Sequence, residues 1–211
     1  RPVLIGASTH ATEEAALLLL LPALRHILPD VLLILAPRHT YRCDAVVQLC
    51  QAAGEVVVKL SEVRAGNAVT TGSRVLLLDS MGELEAFYRV ARVAFVGGSL
   101  IPRGGHNLLE AVRAGSAVVM GPHLENIEDI AQQFIDLDAM VVVADEAALN
   151  DVVIRLMCEE GMAQRMSVAA LAVLSQNQGS LDRVELLLKE LLGYQMGQSS
   201  NTPSNKSPTN G

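Results

Sequence analysis

Tryptophan is absent from the sequence, and aromatic residues occupy only 3% of its 211 positions. A core therefore has to be built from aliphatic side chains, mainly Leu, Val, Ile and Ala. Half of the residues are apolar, which is enough to bury the core of one domain of ordinary size.

Runs of like charge are also missing, since no five consecutive residues carry the same sign. The net charge is −7, whereas nucleic-acid binding needs clustered Lys and Arg to neutralise phosphates. We therefore expect no nucleic-acid partner.

Cysteine is scarce: Cys43, Cys50 and Cys158 are the three present, and none forms a CxxC pair. An odd number without paired spacing argues against a disulfide framework and favours a reducing compartment. Structural zinc needs paired ligands at short spacing, and the five histidines are scattered as well. No metal site is predicted.

Long hydrophobic runs are lacking too. The longest, Ala15 to Leu24, is shorter than the roughly 20 residues needed to span a bilayer. An apolar run, Val3 to Ile5, follows Arg1 directly, which does not resemble a signal peptide. A chain that starts on a strand in this way is expected to be half of a longer protein.

What the sequence does contain is an alternation of short apolar runs with helix-like segments. The predicted strands are Val3–Gly6, Val31–Ala36, Val56–Val58, Val75–Leu78, Val93–Val96, Ala117–Met120 and Met140–Val143. The predicted helices lie near 12–28, 42–53, 82–91, 105–114 and 126–137. Strands apolar on both faces that alternate with helices predict an α/β fold, a Rossmann-like doubly wound parallel sheet.

The last quarter of the chain has a different pattern. From Glu146 to about Leu192 it is wholly helical, with breaks expected near Gly161 and Gly179. Residues 193–211 are polar, rich in Ser, Asn and Pro, and are predicted to be disordered. We therefore expect one domain over 1–192, followed by a tail.

Ligands of open α/β sheets bind at the carboxyl ends of the strands, so the residues after each predicted strand were considered as site candidates. Ser8 and Thr9 follow the first strand and can either cap the next helix or face a ligand. Arg38 follows the second strand, where a guanidinium can clamp a phosphate or form an ordinary surface salt bridge.

After the fourth strand, Ser80 and Glu83 have the spacing of a capping box. That pattern does not explain Gly82, a poor helix former in the first turn. A glycine here lets a flat ligand lie against the backbone.

The fifth strand is followed by the most unusual stretch, FVGGSLIPRGGHNLLEAVRAG from Phe95 to Gly115. Its glycines predict exposed amides at the start of a helix near 105, an arrangement that binds anions. Asn107 and Glu110 are three residues apart on nearly one helix face, where an acid can accept hydrogen bonds from a ribose. Phosphate on the amides and ribose on the acid indicate a nucleotide. His106 can be a base, a ligand or a structural residue, and no catalytic triad is visible.

Five motifs together resemble one known family. STH with a following Glu-Glu, LILAPRH, MGEL, AFVGGSLIPRGGHN-x-LE and GPH are similar, in this order and spacing, to 3-deoxy-D-manno-octulosonic acid (Kdo) transferases of lipid A and lipopolysaccharide synthesis. The likeness covers residues 1 to about 190 and the carboxyl-terminal half of those enzymes. Two positions depart from the family pattern: Leu108 stands where a proline is usual, and Thr12 where a glycine is frequent.

The resemblance implies an inverting glycosyltransferase of the GT-B type. Its carboxyl-terminal domain binds the donor CMP-Kdo, and its amino-terminal domain binds the lipid A precursor (lipid IVA). No cofactor or metal-bound nucleotide is implied, and the general base is a glutamate of the other half. We therefore expect no catalytic residue in this chain, which should bind nucleotide without turnover.

The resemblance also implies roles for residues of this chain. Pro37 and Arg38 approach the cytidine and its phosphate, with His39 beside them. The nucleotide pocket is lined by Met81, Gly82 and Glu83. Ser8, Thr9 and His10 lie near the sugar, Gly105, His106 and Asn107 hold the phosphate, and Glu110 takes the ribose. Gly98, Ser99 and Gly104 complete the implied substrate-binding residues.

Two other functions are compatible with the sequence. A GT-B enzyme that uses a UDP-sugar shares the glycine-rich loop and the acid, and a non-catalytic nucleotide-binding module needs no second half. The resemblance implies peripheral contact with the cytoplasmic face of a bacterial inner membrane, or a mitochondrial location in a plant.

Overall fold

A computed structural model describes residues 1–66 and 72–191. The chain divides into two units, residues 1–175 and 176–211; the sheet and the candidate site belong to the first. The predicted disordered tail, 193–211, lies outside the described residues.

Seven strands and nine helices form the described part. The strands are β1 (Val3–Thr9), β2 (Leu32–Pro37), β3 (Val57–Lys59), β4 (Val75–Leu77), β5 (Val93–Val96), β6 (Ala117–Met120) and β7 (Val141–Val142). The helices are α1 (Ala11–Leu19), α2 (Leu21–Ile27), α3 (Cys43–Ala52), α4 (Leu60–Arg64), α5 (Leu84–Tyr88), α6 (Leu109–Arg113), α7 (Glu128–Ile135), α8 (Glu146–Cys158) and α9 (Glu160–Leu191). A 3₁₀ turn at Thr40–Arg42 precedes α3.

The strands form one parallel sheet in the order β3-β4-β2-β1-β5-β6-β7. The predicted doubly wound parallel sheet is therefore confirmed. β1 pairs with β2 on one side and with β5 on the other. The chain thus reverses its direction across the sheet between β1 and β5, and at such a switch point the loops diverge and leave a crevice.

Both faces of the sheet are buried, because successive strand residues point to opposite sides. Leu4 and Phe95 lie on the face of the sheet that packs against α1, α2, α3 and α8. Ile5 and Val96 lie on the opposite face, which packs against α5, α6 and α7. Helix α9 contributes to both, through Met166 on the first face and Val173 on the second. This explains why the strands read as continuous apolar runs.

Several predicted boundaries differ from the structure. The helix predicted over 12–28 is two helices that meet at Leu20, since Pro22 lies in the first turn of α2 and has no amide to continue α1. The break expected near Gly161 lies at Glu159, whereas α9 includes Gly179, so the break predicted there is wrong. One glycine costs a helix only about 1 kcal/mol, which a long helix tolerates.

Candidate functional site

The β1–α1 and β5–α6 loops meet at the switch point, and the buried carboxylate of Glu13 joins them. One Glu13 oxygen accepts the amides of His10 (3.0 Å) and Gly98 (2.9 Å). The other accepts the amides of Ser99 and Leu100, both at 3.0 Å. Glu13 is fully buried, and amide donors of this number stabilise a buried carboxylate. The carboxylate therefore fixes the shape of both loops.

This arrangement accounts for the amides of Gly98 and Ser99, two residues that the resemblance implies in substrate binding. Both amides are donated to Glu13. The Ser99 hydroxyl donates to the Val96 carbonyl (2.6 Å) and accepts the Gly121 amide (2.9 Å). The anion held by these amides is thus part of the protein itself.

The neighbouring acid, Glu14, is also fully buried, and it receives a two-pronged ion pair. Both of its oxygens accept Arg42 nitrogens at 2.8 Å, and one also accepts the Thr9 hydroxyl at 3.0 Å. Thr9 is therefore bound to Glu14 and does not cap α1. The contact joins the 3₁₀ turn after β2 to α1.

His10 and His106 form a stacked pair across the crevice. Their Nε2 atoms are 3.2 Å apart, and their rings lie 5.5 Å apart at an interplanar angle of 20°. Burial lowers the pKa of His10, and burial together with Arg38, His10 and His39 lowers the pKa of His106. Both rings are therefore neutral near pH 7.

The row of rings continues outward along the mouth of the crevice. His39 meets His10 edge to face, with centroids 6.3 Å apart. Tyr41, which is exposed, stacks on His39 at 5.3 Å. The rings thus extend from the β5–α6 loop to the turn after β2.

A small recess lies beside this row, where β1, β2 and β4 end. It has a volume of about 70 Å³ and is lined by Ser8, Ala36, Pro37, Arg38, Thr40, Leu78, Ser80, Met81, Gly82, Glu83 and Leu84. The structure therefore brings together six of the predicted site residues from three separate loops. The spacing of these residues along the sequence does not predict how small the recess is.

The backbone around the recess is held in unusual conformations. Ser8 has φ +53° and Gly82 has φ +81°. The left-handed region is costly for a residue with a side chain, and such residues are concentrated at functional sites. At Gly82 the glycine itself removes that cost.

The capping box predicted from Ser80 and Glu83 is wrong. Helix α5 begins at Leu84, so Glu83 is itself the N-cap residue. The Glu83 carboxylate instead pairs with Arg64 at 2.7 Å, and the hydrogen bond from Arg64 lowers the pKa of Glu83.

Arg38 and Arg103 are exposed cations beside the crevice. Among the side chains that the structure describes, those of residues 1–66 and 72–176, neither guanidinium forms an ion pair. The surface salt bridge considered for Arg38 is therefore not found in this part of the chain, and both charges are available to an anion.

The prediction that α6 begins near 105 with free amides is wrong. The helix begins at Leu109, because Gly104 and Gly105 have φ +80° and +74° and cannot be helical. The amide of Gly105 donates to the Gly98 carbonyl at 2.8 Å, and that of His106 donates to the Gly97 carbonyl at 3.2 Å. These hydrogen bonds fold the β5–α6 loop back on itself and aim His106 at His10.

Asn107 and Glu110 lie beyond this loop. The Asn107 side-chain oxygen accepts the Leu109 amide at 3.0 Å and so supports the start of α6. Glu110 is exposed and lines a separate cleft of about 430 Å³ with Glu85, Arg89, Arg113 and Ala114. The structure therefore does not place Glu110 in the recess, and its role at a ribose stays a prediction.

Four contributors were not among the predicted site residues: Glu13, Glu14, Arg42 and Arg103. Adjacent acids in the first turn of a helix suit the helix dipole, which explains Glu13 and Glu14 without any role in the site. Their position does indicate burial, since both acids directly precede the apolar run of α1, which packs against the sheet.

Some predicted absences can be examined only in the described part of the chain. There, no group of three or more His, Cys, Asp or Glu side chains is placed to hold a metal ion. Every helix described is too short or too polar to cross a membrane. Cys43 and Cys50 are buried free thiols and Cys158 is an exposed one.

The chain is similar in sequence to proteins of known activity. No protein-family model matches the chain. The 3-deoxy-D-manno-octulosonic acid transferase of Haemophilus influenzae is 36% identical over 193 residues, which are 91% of this chain and 44% of that protein. The enzyme of the same name from Bordetella pertussis is also 36% identical, over 92% of this chain and 45% of its own length. The chain thus spans less than half the length of these curated relatives.

Solved structures give the same result. The C-terminal CMP-Kdo binding domain of WaaA from Acinetobacter baumannii matches with a TM-score of 0.76 and 34% identity, over 82% of this chain and 89% of that domain. An O-GlcNAc transferase from Thermobaculum terrenum matches at 19% identity with a TM-score of 0.57, over 83% of this chain and 32% of its own; at that identity only the fold is shared. The predicted Rossmann-like carboxyl-terminal domain of a GT-B glycosyltransferase is confirmed. The chain belongs to the 3-deoxy-D-manno-octulosonic acid transferase family.

Proposed function

We propose that this chain is the donor-binding half of an inverting glycosyltransferase and that it binds CMP-Kdo at the switch point of its sheet. The observation that carries the proposal is the recess where β1, β2 and β4 end, lined in part by Arg38, whose guanidinium forms no ion pair with the side chains that the structure describes. A cation without a partner next to a concave surface suits a ligand that has both a flat ring and a phosphate.

In this proposal the cytosine lies in the recess against Pro37 and the backbone at Gly82, where no side chain intervenes. The phosphate meets Arg38, and the Kdo sugar extends toward His10 and His106. Support comes from the name of the Acinetobacter domain, which binds CMP-Kdo.

The activity of the whole protein is part of the proposal as well. The full-length enzyme transfers Kdo to lipid IVA, and its general base and acceptor site lie in an amino-terminal half. The transfer needs no cofactor, and the enzyme works at the cytoplasmic face of a bacterial inner membrane through peripheral contact. The chain alone then binds nucleotide without turning it over.

Calorimetric titration of the chain with CMP, with UMP and NADH as comparisons, tests this function. We expect CMP to bind and UMP to bind much more weakly. Equal binding of UMP would favour a UDP-sugar enzyme. Absence of CMP binding would contradict a preformed donor site.

Arg38→Ala should lower the affinity for CMP about 10-fold or more, because a hydrogen bond to a charged group contributes roughly 1.5–3 kcal/mol. Arg165→Ala removes an exposed arginine of α9 and serves as the matched control. Glu110→Ala, titrated alongside, tests whether that acid meets the ribose. If Arg38→Ala bound CMP as tightly as the control, the phosphate would have to lie elsewhere.

A further inference from the structure

The histidine pair offers a property that the proposed function leaves unused. The two Nε2 atoms face each other at 3.2 Å, so one must carry a hydrogen and the other must accept it. With both rings neutral, the donor ring has a bare Nδ1 and the acceptor ring carries its hydrogen there.

The geometry limits how many protons the pair can hold. One extra proton can enter at the bare Nδ1 of the donor ring, and the bond between the Nε2 atoms survives. A second extra proton would place two N–H groups head to head at the same distance. The pair therefore exists with a charge of zero or of plus one.

The groups around the histidine pair disfavour a proton on the bare Nδ1 of the donor ring while no ligand is bound. Burial is the strongest influence against a proton on either ring, and the charges of Arg42 and Arg103 at His10, and of Arg38 and His39 at His106, add to it. Glu13 and Glu14 act on His10 in the opposite direction. However, both carboxylates are already committed, Glu13 to four amides and Glu14 to Arg42 and Thr9.

Contacts within the protein fix the distance between the two histidine rings. Glu13 holds the His10 amide and the Gly98 amide with a single oxygen. The His106 ring lies directly over Gly98, where an added Cβ would come within 2.8 Å of it. The pair is thus fixed at the crevice before any ligand arrives.

We propose, resting on the proposed function, that His10 and His106 act as one proton-accepting unit. The unit takes up a single proton when the phosphodiester of the donor binds between it and the guanidinium groups of Arg38 and Arg103. An anion close to the pair removes the disadvantage that the guanidinium charges impose on the proton. The charged pair then contributes a charge-assisted hydrogen bond to the anion. Donor binding is accordingly tighter at mildly acidic pH.

The test uses the methyl ester of CMP, because its phosphodiester does not titrate near neutral pH. Binding is measured calorimetrically in buffers of different ionisation enthalpy, from pH 5.5 to 8. We expect proton uptake that passes through a maximum of about one and never exceeds it. The double variant His10→Gln with His106→Gln should bind at least several-fold more weakly at pH 6 and take up no proton. His26→Gln, which changes an exposed side chain of α2, should behave like the parent chain.

Each outcome decides between the two proposals. Binding without proton uptake, or uptake that survives in the double variant, overturns the inference and leaves the donor-binding function intact. Uptake of two protons would show independent histidines and also overturns it. If neither CMP nor its methyl ester binds, the proposed function fails, and this inference fails with it.

Discussion

At the scale of single residues, Gly98 sets the position of the histidine pair for a steric reason. Its φ is +67°, and the His106 ring occupies the space where a Cβ would project. Glycine is therefore needed here twice, for the backbone and for the contact.

Gly98→Ala should destabilise the chain by more than the roughly 1–2 kcal/mol of a left-handed alanine, because the His106 ring must also move. Gly54→Ala is the matched control: its φ is +76°, but no atom lies within 4 Å of the added Cβ. Urea unfolding of both variants measures the difference. Equal losses would mean that His106 adapts at no cost.

The two histidines also predict how stability depends on pH. Each has an ordinary pKa of 6.5, which the folded chain lowers through burial. Below pH 6.5 the unfolded chain binds more protons, so the free energy of unfolding falls with falling pH. The contribution of the two neutral histidines to stability is fully present above pH 6.5. It is lost progressively as the pH falls from 6.5 through their lower pKa values in the folded chain.

Urea unfolding at pH 7.5 and 5.5 measures this dependence. The loss between the two values should be smaller in the double variant His10→Gln with His106→Gln than in the parent chain. His26→Gln keeps the pair and should lose as much as the parent. A double variant with an unchanged loss would contradict the lowered pKa values.

At the scale of secondary-structure elements, a buried ion pair between two side chains joins neighbouring elements at the site. Arg42 belongs to the 3₁₀ turn after β2 and Glu14 to α1, and the contact between them holds the loop that presents Arg38 and His39. Breaking a buried ion pair on one side leaves an uncompensated charge.

Arg42→Ala should therefore cost about 3–5 kcal/mol of stability. Arg89→Ala provides the comparison, because its pair with Glu85 spans one helical turn and both side chains are 69% exposed; such a pair contributes about 0.3–0.5 kcal/mol. Thermal unfolding of the two variants would show the difference. Similar melting temperatures would mean that Glu14 finds another partner or takes up a proton.

Elements also show where sequence reasoning succeeds. β5 and β6 have the predicted bounds because their apolar runs end at glycines. The start of α6 could not be predicted, because it depends on hydrogen bonds from Gly105 and His106 back to Gly97 and Gly98. Those contacts form only after the loop has folded over β5.

At the scale of the whole molecule, strand–helix alternation was sufficient to predict the parallel sheet. The order of the strands in the sheet was not predicted from the sequence. Which strand ends lie side by side therefore remained unknown. His10 and His106 are 96 positions apart, and only the adjacency of β1 and β5 brings them together. The recess has the same origin, since it draws on loops after β1, β2 and β4.

The central place of β1 has a consequence for how the chain is made. Its register with β2 can form early in synthesis, but its other edge waits for Leu4 to meet Val93. Closing so long a loop is entropically costly and slow. Until β5 leaves the ribosome, β1, whose residues are almost all buried in the folded chain, offers an unpaired edge to chaperones and to other nascent chains.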